Sequence, residues 1–343
     1  MGYQTGTLDG TANLASLVGL ISAFAATQGW TVNNAPAGDA NLYLTNGDCH
    51  ATIHTLTTGT MNDTYGPSGS GAAPDHILIG RLNAVDVPMT KAQVVSSYGV
   101  QTNDLTPPYA NYWLFSGGVG DPPYIHLVVQ KASGRFCHFS FGVLDKKGVP
   151  YSGGAFMFGE FYNWGFGGSA PDSNASGSNI DGTGHYYFGK ASSYYYRSTY
   201  NISMGEIDPG VVIADGPAPS VFPNGILAPL FDATDSFASM GPGAARWLGN
   251  FFHLGPMPVN GVTPLMEVPV LRYSPNQRVQ YFGSVPNWRY CSMIGRDEGE
   301  TVSFAGEEWM IFPIKRARPW VPEPYAEKIV TSGPYGFAVK KVI

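Results

Sequence analysis

Charged residues are scarce in this chain, at 13% of 343 residues against the ~25% of an average globular domain. Its three cysteines, Cys49, Cys137 and Cys291, are far apart and odd in number, so we predict no disulfide framework. No apolar run approaches the ~18 residues that a membrane-spanning helix needs. A net charge of −6 and a pI near 5.6 lack the basic footprint of a nucleic-acid-binding domain. The composition therefore does not favour a disulfide scaffold, a membrane span or direct nucleic-acid binding.

Familiar catalytic motifs are also missing. The chain has no Gly-x-Ser-x-Gly nucleophile elbow, no Walker phosphate loop and no Cys-x-x-Cys pair. The glycine-rich residues 117–120 are not followed by a helical pattern, as a dinucleotide-binding loop would be. We therefore expect a protein without enzymatic activity and without a cofactor.

The residues that are abundant favour β structure. The chain holds 44 glycines, 27 prolines and 20 tyrosines, which is typical of aromatic strands joined by turns. Residues 124–130 and 136–144 form the clearest hairpin, with a glycine-containing turn over 131–135. Side chains alternate along a strand, so Cys137, Phe139, Phe141 and Val143 share one apolar face that must be covered. We predict a mainly β (α+β) fold with an antiparallel, sandwich-like core.

The first hundred residues have a different pattern. Apolar residues recur every three or four positions over 11–28, which predicts a helix that ends at Gly29. Short strand-like runs follow at 30–32, 41–44, 51–56 and 76–82, and they predict a small antiparallel sheet on which the helix docks. We therefore predict two regions, 1–105 with the helix and small sheet, and 106–343 with the β-rich core, long loops and an extended C-terminal tail.

Aromatic and basic side chains outside the predicted core are candidates for contacts with other chains, because Tyr, Trp and Arg are enriched in protein interfaces. We predict an interface formed by Tyr194, Tyr195, Tyr196, Arg197, Arg316, Arg318 and Trp320. No Lys or Arg precedes Arg81, whereas the tail is basic. This asymmetry is either ordinary surface variation or a means by which neighbouring copies meet.

Three groups of side chains are candidates for chemistry. His50 and His54 share one face of a strand, with Cys49 on the other, but a zinc site needs three or four converging ligands. His126 and His138 lie on the two strands of the hairpin and approach each other if the register allows it. Carboxylate pairs suited to glycan hydrolysis are available in three clusters: Glu206/Asp208, Asp297/Glu298/Glu300 and Glu307/Glu308. Each group is also compatible with an ordinary structural or solvated role.

Several stretches carry a resemblance to a known group of proteins. Residues 125–146, closing on 151–154, resemble a passage of virion structural proteins of tailed bacteriophages. Residues 308–313 and 332–340 are similar to the ends of the same group, and the helix leading into 29–32 resembles tail-associated proteins. The resemblance implies a component of the tail, baseplate or neck that is assembled in several copies. It carries over no active-site residue.

The expected function is therefore that of a structural protein in the virion, working as a homo-oligomer or with other virion proteins. A host-surface glycan-binding or receptor-binding module of the same particle is one alternative, because Tyr and Trp faces stack on sugars. A particle-borne glycan hydrolase that uses a carboxylate pair is another.

Overall fold

The structure is a computed structural model, and it describes residues 2–36, 41–47, 49–56, 76–81, 99–101, 105–147, 155–159, 211–214, 226–228, 264–273, 279–313 and 335–342. These residues form one helix, α1 (Leu14–Thr27), and strands that pair antiparallel in three sheets. The predicted β-rich fold with an N-terminal helix is confirmed. The described part of the chain holds no helix long and apolar enough to cross a membrane.

In chain order the strands are β1 (Tyr3–Thr7), β2 (Thr31–Asn33), β3 (Leu42–Asn46), β4 (Cys49–Leu56), β5 (His76–Arg81), β6 (Gly99–Gln101), β7 (Tyr109–Ser116), β8 (Tyr124–Lys131), β9 (Phe136–Val143), β10 (Ala155–Gly159), β11 (Val211–Ala214), β12 (Ile226–Ala228), β13 (Met266–Tyr273), β14 (Val279–Ser292), β15 (Glu300–Phe304), β16 (Glu307–Pro313) and β17 (Tyr335–Lys340). The central sheet has the order β1-β7-β8-β9-β10-β11, the outer sheet β12-β13-β14-β17-β16-β15, and the small sheet β2-β3-β4-β5-β6.

The predicted hairpin lies in the middle of the central sheet. Strands β8 and β9 pair antiparallel, and the register places Val128 opposite His138 and His126 opposite Ser140. The turn between them contains Gly134 with a φ of +78°, a conformation that glycine adopts without steric cost. The hairpin and its position in the core are therefore as the sequence predicts.

Helix α1 has clear local signals at both ends. The Asn13 side chain accepts a hydrogen bond from the Ser16 backbone, and the Ser16 hydroxyl in turn accepts one from the Asn13 backbone. This reciprocal cap satisfies donors that the first helical turn leaves unpaired. Gly29, with a φ of +80°, follows the helix C-terminus. The predicted end of the helix is therefore confirmed.

One face of the central sheet packs against the helix and the small sheet. Cys137, Phe139 and Phe141 share a buried core with apolar side chains of α1, β3 and β4. Trp30, just after the helix, meets Phe141 edge to face with ring centroids 5.3 Å apart. The apolar face of β9 is thus covered, as the alternation of the strand requires.

The other face of the central sheet packs against the outer sheet. Phe312 of β16 contacts Trp113 of β7, with ring centroids 5.0 Å apart. At another point of this interface the backbones of Asp145 and Ser284 exchange two hydrogen bonds of 3.0 Å, which join the end of β9 to β14. The central sheet is therefore the middle layer, with the outer sheet on one side and the helix and small sheet on the other.

The sequence patterns did not predict every strand. Strands β11 and β12 fall within residues 208–264, where proline and glycine recur every few residues. Strand β14 is long because the chain continues through the irregular pairing near Gly283. Strand β1 pairs with β7, so the beginning of the chain contributes an edge strand to the central sheet. The division at residue 105 stays a prediction, and so do the long loops and the extended tail, which fall mostly outside the described residues.

Candidate functional site

The predicted interface lies outside the part of the chain that the structure describes. This applies to all its members: Tyr194, Tyr195, Tyr196, Arg197, Arg316, Arg318 and Trp320. The interface therefore stays a prediction. The described residues contain two other candidate sites: a buried histidine pair inside the sandwich and an exposed strand at its edge.

The histidine pair lies between the central and outer sheets. His126 and His138 project from the same face of β8 and β9, and their rings stack with centroids 5.6 Å apart and an interplanar angle of 20°. Trp288 of β14 meets His126 edge to face at 4.2 Å, and Phe337 of β17 meets His138 at 5.5 Å. The prediction that the two rings approach each other is confirmed.

The surroundings of the two rings are apolar. His126 is 0% exposed and His138 is 1% exposed. His138 Nε2 donates a hydrogen bond of 2.9 Å to the Pro313 carbonyl, which fixes the proton on that nitrogen. Neither nitrogen of His126 has a hydrogen-bond partner of normal geometry among the described residues. A general base must come within about 3 Å of the proton that it removes, and rings buried to this degree do not meet a substrate from solution.

The charge state of the pair follows from its burial. Burial holds the pKa of His126 well below its usual range, the neighbouring His138 lowers it further, and the backbone of Phe139 acts in the opposite direction. For His138, burial lowers the pKa to about 4, while the hydrogen bond to Pro313 opposes the shift. Both imidazoles are therefore neutral at pH 7, and they serve as packed aromatic groups of the sandwich core.

The second histidine group does not converge on a common point. His50 Nδ1 lies 2.9 Å from the Tyr43 hydroxyl and is half-buried, whereas His54 is fully buried within the small sheet. Cys49 belongs to the core between the small sheet and the helix, on the other face of β4. In the described part of the chain, no three His, Cys, Asp or Glu side chains come together in a way that holds a metal ion.

Three of the described candidate carboxylates, Glu300, Glu307 and Glu308, are paired with cations. Glu300 forms an ion pair of 2.8 Å with Arg296 and accepts a hydrogen bond from the Asp297 backbone. Glu307 pairs with Lys340 at 2.6 Å. Glu308 pairs with Lys341 at 3.2 Å. Adjacent residues of a strand point to opposite faces, so Glu307 and Glu308 do not form one site. Glu206 and Asp208 lie outside the described residues.

Of the two edge strands of the sandwich whose side-chain exposure is described, β1 and β15, the more exposed is β15. It pairs with β16 on one side and ends the outer sheet on the other. Thr301, Ser303 and Phe304 are exposed, and Phe304, at 38%, is one of few large apolar side chains with that exposure among the described residues. A sheet edge presents unpaired backbone N–H and C=O groups that can pair with another strand.

Native edge strands are usually protected by lysines, prolines or a covering segment. Strand β15, with the sequence Glu-Thr-Val-Ser-Phe, contains neither lysine nor proline. The nearby cations Arg296, Lys340 and Lys341 are each held by a carboxylate. Within the described part of the chain, the middle of this edge is therefore neutral, and neither a lysine or proline of the strand nor a covering segment protects it.

Sequence reasoning missed both this strand and β1. The alternation in residues 300–304, between Gly299 and the Ala305-Gly306 turn, is a signal that predicts a short strand. No local sequence pattern predicts that this strand is exposed, because its exposure depends on the position of β15 in the order of the sheet.

The described residues define a β-rich fold with one N-terminal helix and two large sheets packed face to face. No protein-family model matches the chain, and no curated protein matches it.

Proposed function

We propose that this protein is a non-enzymatic structural component of a tailed-phage particle, in the tail, baseplate or neck. It acts by assembling with further copies of itself or with other virion proteins. The resemblance of the hairpin and of the C-terminal stretches to virion structural proteins is the origin of this proposal.

The observation that carries the proposal is β15, the edge strand of the outer sheet, which pairs on one side only among the described strands. An edge strand with neutral central residues and an exposed phenylalanine promotes association with other chains. Such an edge is unfavourable for a protein that must stay monomeric. In a particle subunit the same edge is available for completion by a neighbouring chain. The low content of charged residues favours the same role, since the centres of protein interfaces are depleted in charge.

Three of the described candidate acids lie in surface ion pairs and do not form a hydrolytic pair with one another. A glycosidase needs two carboxyl groups on either side of a sugar, about 5 to 10 Å apart. Glu300, Glu307 and Glu308 are instead paired with arginine or lysine at the surface. Those pairings are typical of solvated surface ion pairs, which contribute about 0–1 kcal/mol each.

Negative-stain imaging of the purified protein tests the proposal. We expect rings, stacks or fibres of regular repeat, since a structural subunit assembles through its own surfaces. A glycan array in parallel tests the binding module, and polysaccharide cleavage that is lost in Glu298→Gln or Glu307→Gln would indicate the hydrolase. Uniform single particles together with either glycan result would overturn the structural role.

A further inference from the structure

We propose that β15 pairs antiparallel with β15 of a second copy of this chain, about a two-fold axis at Val302. The inference rests on the proposed function, and it specifies the contact surface, β15, and the partner, a second copy of the chain. Such a pairing would join the outer sheets of two copies into one continuous sheet.

The strand is self-complementary in this register. Pairing about Val302 places Glu300 opposite the second copy's Phe304 and Thr301 opposite its Ser303, while Val302 meets its own counterpart. Thr–Ser pairs across strands stabilise a sheet through hydrogen bonds between their hydroxyl groups. All five residues take part, and the two Glu300 carboxylates lie at opposite ends of the pairing.

Other registers are less favourable for stated reasons. A two-fold axis at Glu300 or Thr301 brings the two Glu300 carboxylates opposite or near each other, and like charges opposite one another destabilise a sheet. A slip of one residue would place side chains of opposite faces across from each other, which two strands related by a two-fold axis cannot do. The register about Val302 pairs residues of the same face and keeps the two Glu300 carboxylates apart.

The environment of β15 favours a second copy over a basic partner. Glu300 at the start of β15 and Glu307, which lies opposite the end of β15 in β16, already have Arg296 and Lys340 as partners, so these two acids do not select a cationic segment. What the edge offers is backbone hydrogen bonding with neutral side chains, which an identical strand matches.

The size of the contact determines how it must be measured. A five-residue pairing alone buries less than the roughly 1,200 Å² of a stable interface. We therefore expect weak association through this edge alone, strengthened when other surfaces of the particle hold the copies together. Covalent trapping detects such a contact better than an equilibrium mass measurement.

The experiment uses Val302→Cys in the full chain under mild oxidation. The two-fold axis brings the two introduced thiols together at a cross-strand distance that suits a disulfide. The native Cys49, Cys137 and Cys291 are buried and do not compete. Thr7→Cys, on the exposed end of the edge strand β1, is the matched control. We expect a covalent dimer of two 36.7 kDa chains for Val302→Cys, and at least a tenfold lower yield for Thr7→Cys.

A charge test in the same background examines the register. Thr301→Lys with Ser303→Lys places like charges opposite one another across the axis, and we expect the dimer yield to fall at least tenfold. Thr301→Glu with Ser303→Lys places opposite charges there, and we expect the yield to recover. Equal yields for the two charge variants would overturn the register.

The outcomes separate this inference from the proposed function. If imaging shows assemblies but Val302→Cys gives no more dimer than the control, the pairing of β15 is wrong while the structural role stands. If neither assemblies nor dimers form, both are wrong.

Discussion

The variant His138→Phe should be less stable than the wild type at neutral pH. As the pH falls, this deficit in the free energy of unfolding should vanish or reverse. The ring lies in an aromatic environment formed in part by Trp288, Phe312 and Phe337, so the substitution preserves shape approximately. It removes two things: the hydrogen bond to the Pro313 carbonyl and the capacity to take up a proton.

At pH 7.5 the lost hydrogen bond determines the stability of His138→Phe relative to the wild type. Leaving a buried carbonyl without its donor costs about 1–3 kcal/mol, so His138→Phe should be less stable than the wild type by about that amount. Any excess volume of the phenyl ring adds to this cost.

At low pH the protonation of His138 determines the stability difference between the two proteins. The folded pKa of His138 is about 4, and the value in an unfolded chain is about 6.5. The unfolded state therefore binds more protons between these values, and the stability due to neutral His138 is complete above pH 6.5 and decreases as the pH falls towards 4. By pH 4.5 the wild type should lose roughly 2–3 kcal/mol from this group, which His138→Phe does not lose.

Urea denaturation at pH 7.5 and at pH 4.5 measures both effects. We expect the deficit of His138→Phe at pH 7.5 to vanish or reverse at pH 4.5. His126→Phe is the comparison, because neither ring nitrogen of His126 has a hydrogen-bond partner of normal geometry among the described residues. Its stability relative to the wild type should also improve on acidification. A deficit for His138→Phe that is the same at both pH values would refute the reasoning, because the buried ring would then not be held neutral.

Three further substitutions test the backbone and the helix by chemical denaturation. Gly19→Ala, at an exposed position of α1 where an added methyl group meets no atom within 4 Å, should stabilise the protein by about 0.5–1 kcal/mol; a loss of stability would contradict the helix there. Asn13→Ala removes the helix cap and should cost about 1 kcal/mol, and no change would mean that the cap is not formed in solution. Gly283→Ala should cost about 1–3 kcal/mol or more, because its φ is +149° and the added Cβ would lie 2.6 Å from the Asp145 carbonyl oxygen; full tolerance would exclude the close crossing of β9 and β14.

Local features of the fold were predictable from the sequence. The helix has a 3.6-residue period and a glycine after its end, and the hairpin has two aromatic, β-branched runs around a turn. These signals lie within about ten residues of one another, which is why pattern analysis located α1, β8 and β9.

The arrangement of the sheets was not predictable in the same way. The sequence shows that His126 and His138 share a face, but Trp288 and Phe337 reach them from strands about 150 to 200 residues further along the chain. Similarly, β15 is an edge because it pairs with β16 alone, while β17, from the end of the described chain, lies between β16 and β14. Pairings over such distances depend on packing of the whole chain, and no short pattern encodes them.

The most direct test of a structural role is the mass of the protein in solution, measured by sedimentation velocity over a hundredfold range of concentration. We predict species that are multiples of the 36.7 kDa chain, with larger ones increasing as the concentration rises. A single species of one chain throughout that range would contradict the proposal that the protein is built to assemble.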